Sequence, residues 1–110
     1  MTKITRHRIE EFTGGWFIGA FSPTLKWTED FEVSIKLHLK GEDWPTHYHK
    51  VATEYNFVFE GAVQIENQIY TKGDIFVVYP EYVMKPTFLM DCTIMCVKTP
   101  SVKGDKYICD

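Results

Sequence analysis

Apolar and polar residues alternate with a period of two over much of this chain. From Phe31 to Leu39, Phe31, Val33, Ile35, Leu37 and Leu39 fall on one side, and Glu32, Ser34, Lys36 and His38 on the other. That pattern predicts a half-buried strand with its apolar side inward, which makes His38 a solvated histidine on the polar side. Trp16 to Phe21 is a short apolar strand between the turn signal Thr13-Gly14-Gly15 and Ser22-Pro23. Tyr55 to Phe59 is aromatic and β-branched, as sheets prefer. With Glu54 inward, Asn56 and Val58 follow it, and Tyr55, Phe57 and Phe59 face the other way.

Ala62 to Glu66 and Ile69 to Thr71 form a hairpin about Asn67-Gln68. The continuous apolar run Ile75 to Tyr79, stopped by Pro80, predicts a strand covered on both faces. Further strands are predicted around Val83 and from Thr93 to Lys98. Residues 1 to 12 suit an edge strand or an arm lying on a partner, and a polar tail follows Thr99. No segment has helical periodicity, so the class is all-β, a sandwich or barrel.

Composition adds limits. At 110 residues there is room for one domain, and 45% hydrophobic with 15% aromatic content indicates a packed core. The net charge of -3 comes from intermixed acids and bases, without the basic stripe that nucleic acid requires. No run approaches the roughly 20 apolar residues of a membrane span, and the start from Met1 to Arg8 is no secretory signal. A cytoplasmic protein without nucleic-acid or membrane partners is expected. The cysteines Cys92, Cys96 and Cys109 are odd in number and lack a zinc-type spacing; Cys92 and Cys96 share a face and read as small core residues. Three outward aromatics in one strand would form an apolar patch, so a homodimer is expected.

The chemistry concentrates between Gly41 and Gly61. His47 and His49, two apart on a strand, point to the same side, and a returning strand beginning near Glu54 brings a carboxylate beside them. Two imidazoles and one carboxylate are a ligand set for a divalent first-row metal with positions left open for substrate. Gly41 and Gly61 frame the set where strands should end and a positive φ costs least.

In order and spacing these residues resemble the first motif of the cupin superfamily, G-x5-H-x-H-x4-E-x6-G. The resemblance implies a small jelly-roll β-barrel, or double-stranded β-helix, with its barrel at about 31–98, an arm at 1–15 and a tail at 99–110. It implies a divalent transition metal (Fe, Mn, Zn or Ni) on His47, His49 and Glu54. The second cupin motif is only partly present: Gly73 and Pro80 are found, but Lys85 stands where a fourth ligand, histidine, is usual. An ammonium is no metal ligand. Lys85 then either faces the cavity, pairing with an anionic substrate group or donating a proton, or points outward from the strand. Asn56 is placed to hydrogen-bond a ligand near the metal, or to be satisfied by backbone.

The leading expectation is an enzyme acting on a small polar, sugar-derived or oxo-acid molecule through the metal, with catalytic residues unassigned. Non-catalytic ligand or sugar binding is one alternative. Another is a metal-free isomerase or epimerase: His47-Tyr48-His49-Lys50 resembles the HxHK segment of sugar-nucleotide ketoisomerases, whose paired histidines act as acid and base, although Glu54 counts against it. The stretch Val97 to Ser101, with Asp105-Lys106, resembles cupins of carbohydrate pathways.

Overall fold

The computed structural model describes residues 3–109, and two short 3-10 turns, Ile9–Glu11 and Thr13–Gly15, are the helical elements found there. The strands are β1 (Trp16–Ile18), β2 (Glu32–His38), β3 (His47–Tyr48), β4 (Thr53–Glu60), β5 (Ala62–Ile65), β6 (Gln68–Thr71), β7 (Ile75–Val78), β8 (Thr87–Phe88), β9 (Cys92–Thr99) and β10 (Tyr107–Ile108). They form a five-stranded sheet in the order β1-β2-β9-β4-β7, a three-stranded sheet β6-β5-β8 and the pair β10-β3, all antiparallel. The sheets do not join into one continuous hydrogen-bonded barrel, yet the arrangement is the jelly roll that the sequence predicts.

The apolar core lies between the two larger sheets. Val58, Val63, Ile65, Phe76, Val78, Met84, Phe88, Cys92 and Ile94 are buried together, with Trp44 and Tyr70 packed against them. Each such side chain contributes about 1.5–3 kcal/mol by leaving water. Gly61, at the β4–β5 corner, has φ 92°, and a Cβ there would run into the Asp91 carbonyl, so the corner requires glycine. Gly41 also has positive φ, 75°.

Register settles which side of the large sheet is inside. Glu32, Lys98, Glu54 and Val78 stand opposite one another across β2, β9, β4 and β7, as do Ser34, Cys96, Asn56 and Phe76. These are the inward rows. The outward rows are Val33-Val97-Tyr55-Val77 and Ile35-Met95-Phe57-Ile75. Strand β2 is therefore inverted relative to expectation: Glu32, Ser34 and His38 are buried, and Leu37 is 61% exposed. Strand β7 is likewise covered on one face only, with Phe76 and Val78 buried and Ile75 and Val77 exposed.

Other expectations also need correction. No strand precedes Trp16 among the described residues, the apolar run from Trp16 gives a strand of three residues, and the hairpin turns at Glu66-Asn67. Around Val83 there is only a bridge, Met84 to His47; the strand lies later, at Thr87–Phe88. The supposed polar tail is structural: Ser101 and Asp105 are buried, and β10 pairs with β3.

Candidate functional site

The inward polar rows line a cavity of about 150 Å³, roughly five water volumes. Strand β2 supplies Lys36 and His38, β4 supplies Glu54 and Asn56, β9 supplies Lys98, and Trp16 and Trp44 add aromatic faces. His47 and His49 enter from β3 and the residue after it, and Lys106 from the C-terminal strap.

The two histidines are held by their Nδ1 atoms. His47 Nδ1 donates to the Pro45 carbonyl at 3.0 Å, and His49 Nδ1 donates closely to the Asp105 carbonyl. A carbonyl can only accept, so each ring carries its proton at Nδ1 and turns Nε2 to other work. His49 Nε2 lies 2.9 Å from Glu54 Oε2, a pair that shares a proton, with Glu54 buried to 9% exposure. Burial alone would raise the Glu54 carboxyl. The His49 hydrogen bond and charge, with Lys98 and the Asn56 amide, outweigh it and hold the carboxyl below its ordinary value. The His47 pKa is lowered, first by burial and then by the Lys106 and His49 charges, against the Pro45 hydrogen bond and Glu54. The imidazole rings are 5.6 Å apart, nearly perpendicular.

Asp105 fixes this geometry from the far end of the chain. Its carboxylate accepts backbone N–H bonds from Lys50 (2.9 Å), Val51 (3.2 Å) and Ala52 (2.9 Å), shaping the loop between His49 and Glu54, while its carbonyl orients His49. Burial opposes ionisation there, but the backbone bonds prevail and the Asp105 pKa is lowered. Tyr107 stacks on Tyr48 at 5.3 Å and secures the strap.

His38 is no solvated residue. Its Nδ1 pairs with Glu42 Oε2 at 2.8 Å, its ring stacks on Phe88 at 4.2 Å, and burial lowers its pKa despite the Glu42 contact. Lys98 pairs with Glu32 at 2.9 Å, and Ser101 Oγ donates to the same carboxylate at 2.7 Å. Burial pushes the Cys96 thiol far up, as befits a core cysteine.

Lys85 is not in the cavity. Its ammonium reaches Asp43 Oδ1 at 3.2 Å and the Trp44 carbonyl, and its side chain is half exposed. In place of the strand expected around Val83 there is the bridge at Met84, which is the buried residue, and Lys85 takes the outward of its two expected directions. Asn56 is buried in the cavity wall, and its Nδ2, although beside Glu54, makes no hydrogen bond of good geometry.

The donor set has some of the features of a metal centre. With both Nδ1 atoms bound to carbonyls, the Nε2 atoms face the cavity, and cis donors on a cation with bonds of about 2.1 Å stand roughly 3 Å apart, close to the His49–Glu54 separation. Yet no three His, Cys, Asp or Glu side chains among the described residues come together as a cation site. Three lysines also line the cavity. As arranged, His47, His49 and Glu54 share a cavity, and His49 and Glu54 close on each other through a hydrogen bond.

No family model and no curated protein sequence matches the chain. Solved structures do match in fold. A conserved double-stranded β-helix protein from Klebsiella pneumoniae is 18% identical, with TM-score 0.66 over 74% of this chain and 71% of its own. KdgF from Halomonas sp. is 20% identical, with TM-score 0.63 over 69% and 74%. The pirin YhhW from Escherichia coli, solved with nickel(II), is 19% identical, with TM-score 0.64 over 79% of this chain and 39% of its own.

Proposed function

From a chain with the cupin fold and a cavity of this chemistry, we propose a proton-transfer enzyme acting on a small polar, sugar-derived or oxo-acid substrate. The carrying observation is the contrast between two adjacent imidazoles: His47, driven toward its neutral form with Nε2 unclaimed, and His49, bound to Glu54 through a shared proton. Neighbouring groups whose surroundings differ in this way divide naturally into base and acid. His47 Nε2 would remove a proton from the carbon beside a carbonyl, the C–H electron pair would form the enol double bond, and the carbonyl oxygen would take the proton of the His49–Glu54 pair. In a hydroxy-carbonyl substrate His47 then returns its proton to the former carbonyl carbon while the neighbouring enediol hydroxyl gives its proton back to the His49–Glu54 pair, which completes an isomerisation. Both groups recover their starting states.

The test is proton NMR in deuterium oxide over a panel of ketoses, aldoses and oxo acids. Enzyme-dependent exchange of a C–H beside the carbonyl, lost in His47→Gln and in Glu54→Gln, is expected; binding without exchange in every case leaves a ligand-binding module instead.

A second reading, favoured by the locked Nδ1 atoms, has His47, His49 and Glu54 holding a divalent cation. Elemental analysis of protein as isolated tests it: stoichiometric metal that disappears in His49→Ala/Glu54→Ala would establish it.

We also propose a homodimer built on the outward rows of the large sheet. Val33, Tyr55, Phe57 and Ile75 and their row neighbours include no charge, so two copies of this surface could meet without desolvating an ion.

A further inference from the structure

Three ammonium groups crowd one side of the cavity. Lys36 Nζ lies 5.4 Å from the Trp16 ring and 5.2 Å from the Trp44 ring; Lys98 Nζ sits 4.7 Å from Trp16, and Lys106 Nζ 4.4 Å from Trp44. The two tryptophans thus gather all three cations. Lys98 is neutralised by Glu32. Glu54, the carboxylate that lines the cavity, is engaged with His49. Among the described residues no carboxylate comes within ion-pair distance of Lys36 or Lys106.

Such an arrangement opposes itself. The lysines lower one another's proton affinity: burial acts first on Lys36, followed by the charges of Lys106 and Lys98, and burial and Lys98 act on Lys106. Half-buried cations without counter-ions are costly, and in a chain of net charge -3 this is a local reversal of sign. Asn56 supplies an independent sign. Its Nδ2 is buried in the same cavity beside Glu54 but makes no hydrogen bond of good geometry, although a buried amide donor ordinarily does. Both features call for an oxygen-rich, negatively charged group from outside.

We propose that the cavity recognises its substrate by an anionic group, a carboxylate or phosphate on a small polar molecule, seated between Lys36 and Lys106. The inference deepens the reading above by naming the substrate class, and it replaces Lys85 with two lysines from other elements. Trp44 would lie beside the bound group, and the end of the molecule remote from the charge would reach His47 and His49.

Titration with glucuronate, glucose 6-phosphate and glucose, followed by the indole N–H signals of Trp16 and Trp44 and by calorimetry, tests this. At least one of the two anions is expected to bind about tenfold or more tightly than glucose, to weaken with added salt, and to lose about tenfold or more affinity in Lys36→Met and in Lys106→Met. Which anion wins separates carboxylate from phosphate recognition. Glucose binding as well as both anions, no response to either anion, or unchanged anion affinity in folded lysine variants would overturn the proposal. If a lysine variant fails to fold, the anion-to-glucose ratio and salt dependence of the unaltered protein still decide it. Anion binding without deuterium exchange would sink the proton-transfer reading alone; exchange on neutral sugars with no anion preference would sink this one alone.

Discussion

The two faces of the five-stranded sheet reverse the usual arrangement. Its inner face carries Glu32, Lys98 and Glu54 in one row and Lys36 and Asn56 close by; its outer face carries Val33, Val97, Tyr55, Ile35, Met95 and Phe57. In an ordinary half-buried sheet the apolar face would pack on the core. Here the inner face divides along the strands. Val58 and Ile94 join the apolar core, while Glu54, Asn56 and Lys98 line the cavity. Polar residues inside are tolerable because most are paired, Lys98 with Glu32 and His49 with Glu54. On the proposals above, the inner polar end is the working surface and the outer apolar rows are the surface for association.

The strongest way to break this contrast is to release the strap that closes the polar side. Asp105→Ala removes a carboxylate that satisfies the backbone N–H groups of Lys50, Val51 and Ala52. At about 1 kcal/mol for each bond, the loss should be about 3 kcal/mol, read as a lowered urea midpoint, with any catalysed exchange falling because His49 is no longer held. Asp105→Asn should recover part of the stability. A change below about 0.5 kcal/mol in Asp105→Ala would show that the strap does not support the site.

Acid should distinguish the faces next, since the titrating residues with shifted histidine pKa values are inside. His47 and His38 have folded pKa values below the ordinary 6.5, so the unfolded chain takes up protons that the folded chain refuses. Stability should therefore fall as pH drops from about 6.5 toward those folded values. The lowered Glu54 adds a further loss as pH falls below 4.5 and through its own folded value. Thermal unfolding measured from pH 8 downward should show the first decline, and His47→Gln should make it shallower. Equal slopes in both proteins would mean that His47 is not held neutral.

The fold and the central motif were legible because period and spacing are local properties. Alternation located β2, aromatic and β-branched content located β4, and parity correctly set Asn56 and Val58 on one side of β4. It could not say which side was inside, since that depends on pairing across strands: Ser34 opposes Cys96, which opposes Asn56, and this register turns Lys36 and His38 inward. One signal was available. Cys92 and Cys96 read as core residues, and by the same parity Lys98 shares their face. The strap was beyond reach, because Asp105 meets Lys50–Ala52 over more than fifty intervening residues. The direction of Lys85 stayed open in the sequence because motif alignment assigns a position, whereas the Met84 bridge determines where the side chain points.

The smallest effect on the single chain should come from charging the outer face. Tyr55 is 45% exposed and Ile75 65%, in adjacent outward rows, so Tyr55→Glu or Ile75→Lys places a charge where water can still solvate it in an isolated copy. The stability of one copy should change by no more than about 0.5 kcal/mol, and anion affinity should stay the same. Across a dimer interface the same charge would be desolvated twice, once on each symmetry-related copy, and association should collapse. Sedimentation velocity should then show dimer for the unaltered protein and monomer for either variant. A protein that sediments as a monomer throughout would leave the outer apolar rows without the proposed partner, while leaving the inner face and its chemistry untouched.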